Sequence, residues 1–587
     1  MNTLTESPEK TELAPVQAGQ RITALDAVRG FALLGICVMN IEFFNRAHAT
    51  LGTGMPVGLT GINWLASYFV AYFVAGKFWT IFSLLFGMGF AVMLTRAERA
   101  GRDFLKPYIR RIAALAAFGA AHHIFLFAGD ILFSYAVAAV YLLIVLYANW
   151  KWLLAAIAVA AGLAFIPGWG PGAGAAAGVM TFSGIVAIYM RSEKKVFRLS
   201  LMSAMLGAVS LIAAIAAAVF WLVPGLPSEP RGPLTAATVL FLILAVLAQK
   251  YRNPIEARPW RAGAAIYLLS FTMMTIGGLV DYFTPPEAPA KAVATAPSAV
   301  AAAPAAVVAA PAAVATAPAV VAKAEPKKGD AKAVPTKAEM KAKMAAEREK
   351  RLKEQAEKVK METRVMSSGS YAELVQMRAK QFAEHAPMES GFASVLIGMF
   401  LLGTWFIRSG VMENTAAHLP LFRKFAFICL PLGIGMGIAG SLIATSTVPG
   451  AQHDGYMLAM GLLMLGNLPA CLGYVGMIVL MLNSRSALAN VKVLAPFGRM
   501  ALTNYLTQSL VMSLFFMGHG LAWYGMGRAW QLVFAVVLCG LQIVFSHWWL
   551  SKFRYGPAEW LWRAITYMKI PAMRIEPSTG GMQAQPG

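Results

Sequence analysis

The sequence predicts an all-α, polytopic integral membrane protein, a bundle of about fourteen transmembrane helices. Three observations carry that class. Of 587 residues, 58% are hydrophobic and only 13% are charged, whereas a soluble chain of this size has about a quarter of its residues charged. The apolar residues fall in runs of about 17 to 25, the length that crosses a bilayer core as a helix. The short stretches between the runs are basic, which is how topology is set in membranes.

The net charge of +22 is accordingly no sign of nucleic-acid binding. Much of it lies in loops between apolar runs, where Lys and Arg meet anionic lipid headgroups, and the rest is concentrated in a lysine-rich insert. Cys37, Cys429, Cys471 and Cys539 all lie within apolar runs. None has metal-ligand spacing, so they read as small core residues, with no metal site and no disulfide framework expected.

The first span organises the chain. Residues 21–45 read RITALDAVRGFALLGICVMNIEFFN, and about 20 of them would rise about 30 Å as a helix. Arg29 and the apolar run faintly resemble a signal peptide, but Asn40, Glu42 and Asn45 interrupt it before any cleavage site, so an uncleaved span is expected. Residues 62–76 read as an interfacial helix and 77–94 as the second span. The loop at 96–111 holds Arg96, Arg99, Arg102, Lys106, Arg110 and Arg111 against Glu98 and Asp103. By the positive-inside rule it is cytoplasmic, which puts the N-terminus inside and residues 45–60 outside.

Further spans are expected near 112–129, 131–147, 152–168, 176–190, 199–223, 234–249 and 262–283. Residues 285–322 are almost wholly Ala, Pro and Val, a low-complexity linker. Residues 336–364 mix Lys, Arg and Glu with opposite charges at i,i+4 and read as a solvated helix. The remaining spans fall near 389–407, 425–444, 456–482, 500–518 and 527–550. Asn467 and Pro469 suggest a break or kink in the span at 456–482, and broken helices line cavities in transporters. The expected organisation is a cytoplasmic tail at 1–20, an N-terminal membrane half at 21–284, an extracytoplasmic insert at 285–366, a C-terminal membrane half at 367–566 and a second cytoplasmic tail at 567–587.

Ionisable and amide groups within spans are costly, and function is the default reason for keeping them. With Arg111 at the inner boundary, His122 is about 16 Å deep and Asp130 about 28 Å; Asn40 lies about 16 Å beyond Arg29. Asn40, Glu42, His48, His122, His123 and Asp130 are therefore expected around an outer-half cavity. Asp26, Arg29, Lys77, Arg499 and Arg554 are expected at the inner face. A basic inner mouth suits an anionic donor such as the phosphates of coenzyme A. Histidine is the natural base near neutral pH, and an amide such as Asn40 donates to a developing oxyanion. Adjacent His122 and His123 point about 100° apart on a helix, so one at most faces any single site. Asn504 and Gln508 share a helix face at i,i+4, where helix–helix hydrogen bonding competes with substrate binding. Residues 551–563, SKFRYGPAEWLWR, read as an interfacial anchor.

The segments LDAVRGFALLGICVMNI, KFWTIFSLLFGMGF, GDILFSYA, FGRMALTNYLTQS and FRYGPAEWLWR together resemble the YeiB family. Its members are bacterial inner-membrane proteins whose C-terminal half is described as domain of unknown function 418. The Ala/Pro and Lys-rich insert departs from that pattern. The opening LDAVRG, followed by an apolar run and Asn40, is more distantly similar to the heparan-α-glucosaminide N-acetyltransferase family. That resemblance implies an acyl group carried from cytoplasmic acyl-coenzyme A to a sugar on the far side. It assigns Asn40 a functional role, with His48, His122 or His123 in the place of the family's histidine.

The expectation from residues and resemblance together is a membrane-embedded acyltransferase with catalytic Asn40, His48 and His122. Asp26, Arg29, Glu42, Lys77, His123, Asp130, Arg499 and Asn504 would bind substrates. The donor would be acyl-coenzyme A, with no resident cofactor, and the acceptor an envelope glycan or related molecule. The protein would sit in a bacterial inner membrane. The alternative is a transporter or exporter of a small polar metabolite.

Overall fold

The computed structural model describes residues 22–51, 55, 58–166, 168–228, 230–284, 337–445 and 455–575. The chain is a helical bundle. Its first half comprises α1 (Thr23–Asn40), α2 (Gly61–Phe69), α3 (Lys77–Arg99), α4 (Leu105–Phe125), α5 (Leu132–Tyr147), α6 (Trp150–Leu163), α7 (Gly170–Arg191), α8 (Leu201–Leu222), α9 (Arg231–Lys250) and α10 (Arg258–Phe283). The second half comprises α11 (Lys337–Ser368), α12 (Tyr371–His385), α13 (Glu389–Arg408), α14 (Leu419–Lys424), α15 (Leu430–Thr445), α16 (Tyr456–Leu482), α17 (Leu494–Arg499), α18 (Ala501–Phe516), α19 (Arg528–Lys552) and α20 (Pro557–Tyr567). A two-residue β-hairpin pairs Lys195 with Ser200 and Val196 with Leu199.

Each expected span coincides with a helix. Among the described residues ten helical stretches are long and apolar enough to cross a membrane, and α5 and α6 are shorter apolar helices. The core gathers around α1, which packs against α3, α16, α17, α18 and α19. α8 and α9 pair with each other at the periphery and bury little of their apolar surface in protein, the arrangement of helices that face lipid.

Small residues let the central backbones touch. Gly87 of α3 lies on the backbone of Phe400 and Gly403 of α13 on that of Leu84, so neither position has room for a Cβ. Gly30 of α1 meets the Leu494 carbonyl, and Gly498 of α17 meets the Asp26 carbonyl. In lipid, where apolar burial gives no preference between helices, such close approach is a main source of association.

Residues 62–76, expected as one helix, form α2 and a π-helical turn, Val70–Val74, whose Val70, Tyr72 and Val74 are buried. The Phe73 carbonyl there accepts from the Tyr474 hydroxyl at 3.0 Å. A turn at Gly76, whose φ of 79° suits glycine, then leads into α3. Of the break or kink expected in the span at 456–482, the break is absent: α16 continues through Pro469. Its Gly433- and Leu430-facing glycines, Gly466 and Gly473, clamp it against α15, and neighbouring helices supply the packing that lets a membrane helix carry an internal proline. The Ala/Pro stretch at 285–322 lies outside the described residues. The charged stretch after it forms α11, with ion pairs such as Arg351–Glu347 at 2.8 Å along its exposed face.

Candidate functional site

A cavity of about 290 Å³ lies between α1, α3, α4, α5, α18 and α20. Arg29, Arg111, Arg499 and Arg563 line one end, together with Glu559 and Trp562. The trunk is apolar and aromatic, with Trp79, Phe82, Leu85, Phe86 and Leu115 on its wall. Asn40, Gly129, Ile131 and Tyr505 line it towards the other end. Arg29 and Asn40 stand on the same helix, about 16 Å apart by helical rise.

Local structure explains the arginine end. Arg29 is held by Asp26 one turn earlier, Nη1 to Oδ1 at 2.9 Å. The close approach of α17 to α1 at Gly30 and Gly498 brings Arg499 beside Arg29, and the Arg499 Nε is buried without a hydrogen-bond partner. The Arg111 guanidinium stacks 3.9 Å from the Trp562 ring centre, while the Trp562 Nε1 donates to the Arg111 carbonyl at 3.3 Å. Glu559 caps the start of α18, accepting from the backbone N–H of Leu502 at 2.6 Å and of Thr503 at 3.1 Å. Burial holds its carboxyl above the usual carboxylate range, against the pull of hydrogen bonds from Thr503 and Leu502. Residues 551–563, expected as a surface anchor, thus contribute Glu559, Trp562 and Arg563 to the cavity wall. The signal was present as Glu559 and Trp562 beside Arg563, but nothing local distinguishes an interfacial tryptophan from one stacked on an arginine.

At the other end His122 and Asp130 form a buried pair, Nδ1 to Oδ1 at 2.8 Å, with neither side chain exposed. The second Asp130 oxygen accepts the Phe133 N–H at 3.0 Å and so caps α5. The His122 Nε2 is buried with no hydrogen-bond partner. Its ring packs against the ring of Tyr505, with centroids 4.9 Å apart, and Tyr505 is on the cavity wall. This is the arrangement of a positioned base: a carboxylate holds one ring nitrogen and leaves the other for a substrate proton.

The other sequence candidates stand elsewhere. His123 points away from His122 and packs on Phe382 at 5.2 Å. His48 sits edge-on to Phe43 at 5.4 Å, on a 3₁₀ turn, His48–Thr50, at the far end of α1. Glu42 is tied to Arg46 and to Arg528, the latter at 3.3 Å, a pairing that fastens the end of α1 to the start of α19. Asn504 donates to the Phe497 carbonyl at 3.1 Å and to the Ser546 hydroxyl at 3.0 Å, and Gln508 donates to Gln542 at 2.9 Å. Both therefore join α18 to α19. Lys77 is fully buried and its Nζ has no partner. It does not join Arg29 and Arg499; it lies near Gly437 of α15. The Arg554 backbone N–H pairs with the Met573 carbonyl at 2.8 Å, outside the cavity wall. Among the described residues no group of three or more His, Cys, Asp or Glu is placed to hold a metal ion.

Fold and cavity together define a polytopic helical membrane protein with an arginine-mouthed internal cavity. Comparison with known proteins agrees with the resemblance to the YeiB family and does not extend to the acetyltransferase one. Residues 406–569 match the family described as protein of unknown function DUF418, and the chain is homologous to YxaH and YeiB. It is 22% identical to the uncharacterized protein YxaH of Bacillus subtilis over 95% of this chain and 97% of that one. It is 30% identical to the uncharacterized protein YeiB of Escherichia coli over 29% of this chain and 44% of that one. An uncharacterized 39.9 kDa protein from the amylase 3′ region of Bacillus acidopullulyticus is 37% identical over 19% of this chain and 30% of its own length. No solved structure matches the chain.

Proposed function

We propose that the protein is a membrane-embedded acyltransferase. The observation that carries this reading is the cavity, whose arginine mouth and Asn40 lie at opposite ends of an apolar trunk, with Tyr505 on its wall and the His122–Asp130 pair behind Tyr505. Acyl-coenzyme A enters from the cytoplasm, its phosphates among Arg29, Arg111, Arg499 and Arg563, where guanidinium groups pair with phosphate oxygens. The separation of Arg29 from Asn40 suits an extended pantetheine arm, which brings the thioester to Asn40. The acceptor, an envelope glycan or a related alcohol or amine, comes from the opposite side of an inner membrane.

The acceptor oxygen or nitrogen attacks the thioester carbonyl. A C–O or C–N bond forms as the C–S bond breaks; His122 Nε2 takes the acceptor proton and returns it to the departing thiolate of coenzyme A. The Asn40 amide donates to the oxyanion. His122 is preferred to His48 as the base, because the His122 ring packs on Tyr505 of the cavity wall, whereas His48 does not line the cavity. Burial, and then the charges of Arg378, His123 and Lys358, lower its pKa to about 3, too weak a base for a proton transfer near neutral pH.

A second reading, transport of a small polar solute, is supported by Lys77, buried with its Nζ unpartnered beside α15, and by the π-helical segments Val70–Val74 and Phe425–Cys429. Intramembrane charge and irregular helices both occur at solute pathways. Calorimetric titration of the detergent-solubilised protein with acetyl-coenzyme A, and with free coenzyme A, separates the two. Saturable binding that weakens in Arg29→Ala is expected for the transferase. Absence of binding by a folded protein, with solute flux in vesicles and no covalent product, would replace that reading with the transporter.

A further inference from the structure

The far end of the bundle is covered by α11 and α12. The Met366 carbonyl accepts from the Gly518 N–H at 2.8 Å. Buried Glu362 bonds the Ala49 N–H at 3.0 Å and Gln381 at 2.9 Å. Within this cover, Arg378 of α12 is only 1% exposed. Its Nη1 reaches the Phe125 carbonyl at 3.4 Å and its Nη2 the Met517 sulfur at 3.2 Å. Both partners are neutral, and among the described residues no carboxylate pairs with it.

That arrangement leaves a charge uncompensated. A guanidinium does not lose its proton in a protein, and a buried charge without a counter-charge costs several kcal/mol. Phe125 is the last residue of α4, so the helix C-terminus supplies about half a negative charge and the rest is unmet. The neighbours supply ring N–H groups and no acid. The His123 Nε2, two residues before Phe125, is buried without a partner. His519 stacks on Tyr371 at 5.1 Å, and Tyr371 shares the Phe125 carbonyl with Arg378. The half-buried His48 experiences the charges of Arg378, His123 and Lys358, with no acid offsetting them.

We propose that Arg378, with His123 and His48, forms an oxyanion-binding site beneath α12, taking a phosphate or carboxylate group of a polar ligand that enters past the His48–Thr50 turn. The planar fork of arginine matches the two oxygens of either group, and His123 supplies a third contact. The site is separate from the arginine mouth of the cavity. Its occupancy is measured by binding, without turnover, so it stands or falls independently of acyl transfer.

The probe is inorganic phosphate, titrated calorimetrically into the full-length detergent-solubilised protein at constant ionic strength, with chloride as the control. Phosphate can also occupy the cavity mouth, so a background with Arg29→Ala, Arg111→Ala, Arg499→Ala and Arg563→Ala, which removes all four arginines there, isolates the site under α12. In that background we expect one saturable phosphate site, at least tenfold weaker with Arg378→Met and weakened with His123→Gln. Arg378→Lys, which keeps the charge and loses the fork, gives an intermediate affinity and serves if the Met variant does not fold. A phosphatidylglycerol nanodisc compared with a phosphatidylcholine one distinguishes the source. Arg378-dependent thermal stabilisation seen there, and not with phosphate in solution, identifies a lipid headgroup as the anion. Binding that is unchanged by the Arg378 and His123 substitutions with both probes, or absent with both, overturns the proposal.

Discussion

The Nδ1 of His122 lies 2.8 Å from Oδ1 of Asp130, and the other Asp130 oxygen is held by the Phe133 N–H. The carboxylate is fixed on both sides, so the imidazole has one orientation and, with its proton on Nδ1, one free basic nitrogen. Asp130→Asn keeps the cap on α5 and removes the charge that favours this tautomer. If His122 is the base, acyl transfer falls by about 10²-fold or more, with little change in the affinity for acyl-coenzyme A. Steady-state kinetics that show KM raised and kcat unchanged would remove the pair from the chemistry.

Asn40 lines the cavity and is the last residue of α1. Asn40→Ala is expected to lower turnover by about 10²- to 10³-fold, the usual loss for one oxyanion donor, while expression and thermal midpoint stay near those of the parent. Full activity in a folded Asn40→Ala protein would take the residue out of the mechanism.

Gly498 lies against the Asp26 carbonyl. Gly498→Ala therefore has to push α17 off α1, at a cost of about 1–3 kcal/mol for overpacking. Because Arg499 is the next residue, acetyl-coenzyme A binding should weaken along with the thermal midpoint. Gly207→Ala on α8, where a Cβ would meet nothing within 4 Å and which does not line the cavity, is the control and should leave both unchanged.

His48 gives the far end a pH dependence. Its folded-state pKa of about 3 is below the ordinary value of 6.5. Below about pH 6.5 the unfolded chain takes up a proton that the folded chain refuses. Stability is therefore full above that pH and declines as pH falls towards 3. The facing charges are Arg378, His123 and Lys358, all of which oppose protonation. His48→Phe should flatten the acid limb of a plot of thermal midpoint against pH between about 6 and 4. An unchanged limb would mean that other groups control it.

Much of the site was legible because it lies on helices whose phase and depth follow from the sequence. Counting residues from Arg111 placed His122 in the opposite half from the arginines, and His122 does pair with Asp130 there. The same counting failed for Lys77. The π-turn and the positive-φ glycine before α3 set where that helix begins and leave Lys77 buried in the core, and neither is visible as a change in hydropathy. Asn504 and Gln508 were read correctly as sharing a face; which helix that face meets was not encoded locally, and it proved to be α19.

By itself the sequence determined the class of protein. Apolar runs long enough to span a bilayer must form helices, because no water is present to satisfy their backbone groups, and the charges between the runs mark their ends. Tertiary structure alone decided who meets whom. Helix surfaces in lipid are uniformly apolar, so pairing is chosen by glycine contacts such as Gly498 on the Asp26 carbonyl and by buried polar partners far apart in sequence. Arg111 on Trp562, Glu559 on Thr503 and Arg378 on Phe125 are such partners, and shape complementarity between distant segments leaves no periodic trace in either one.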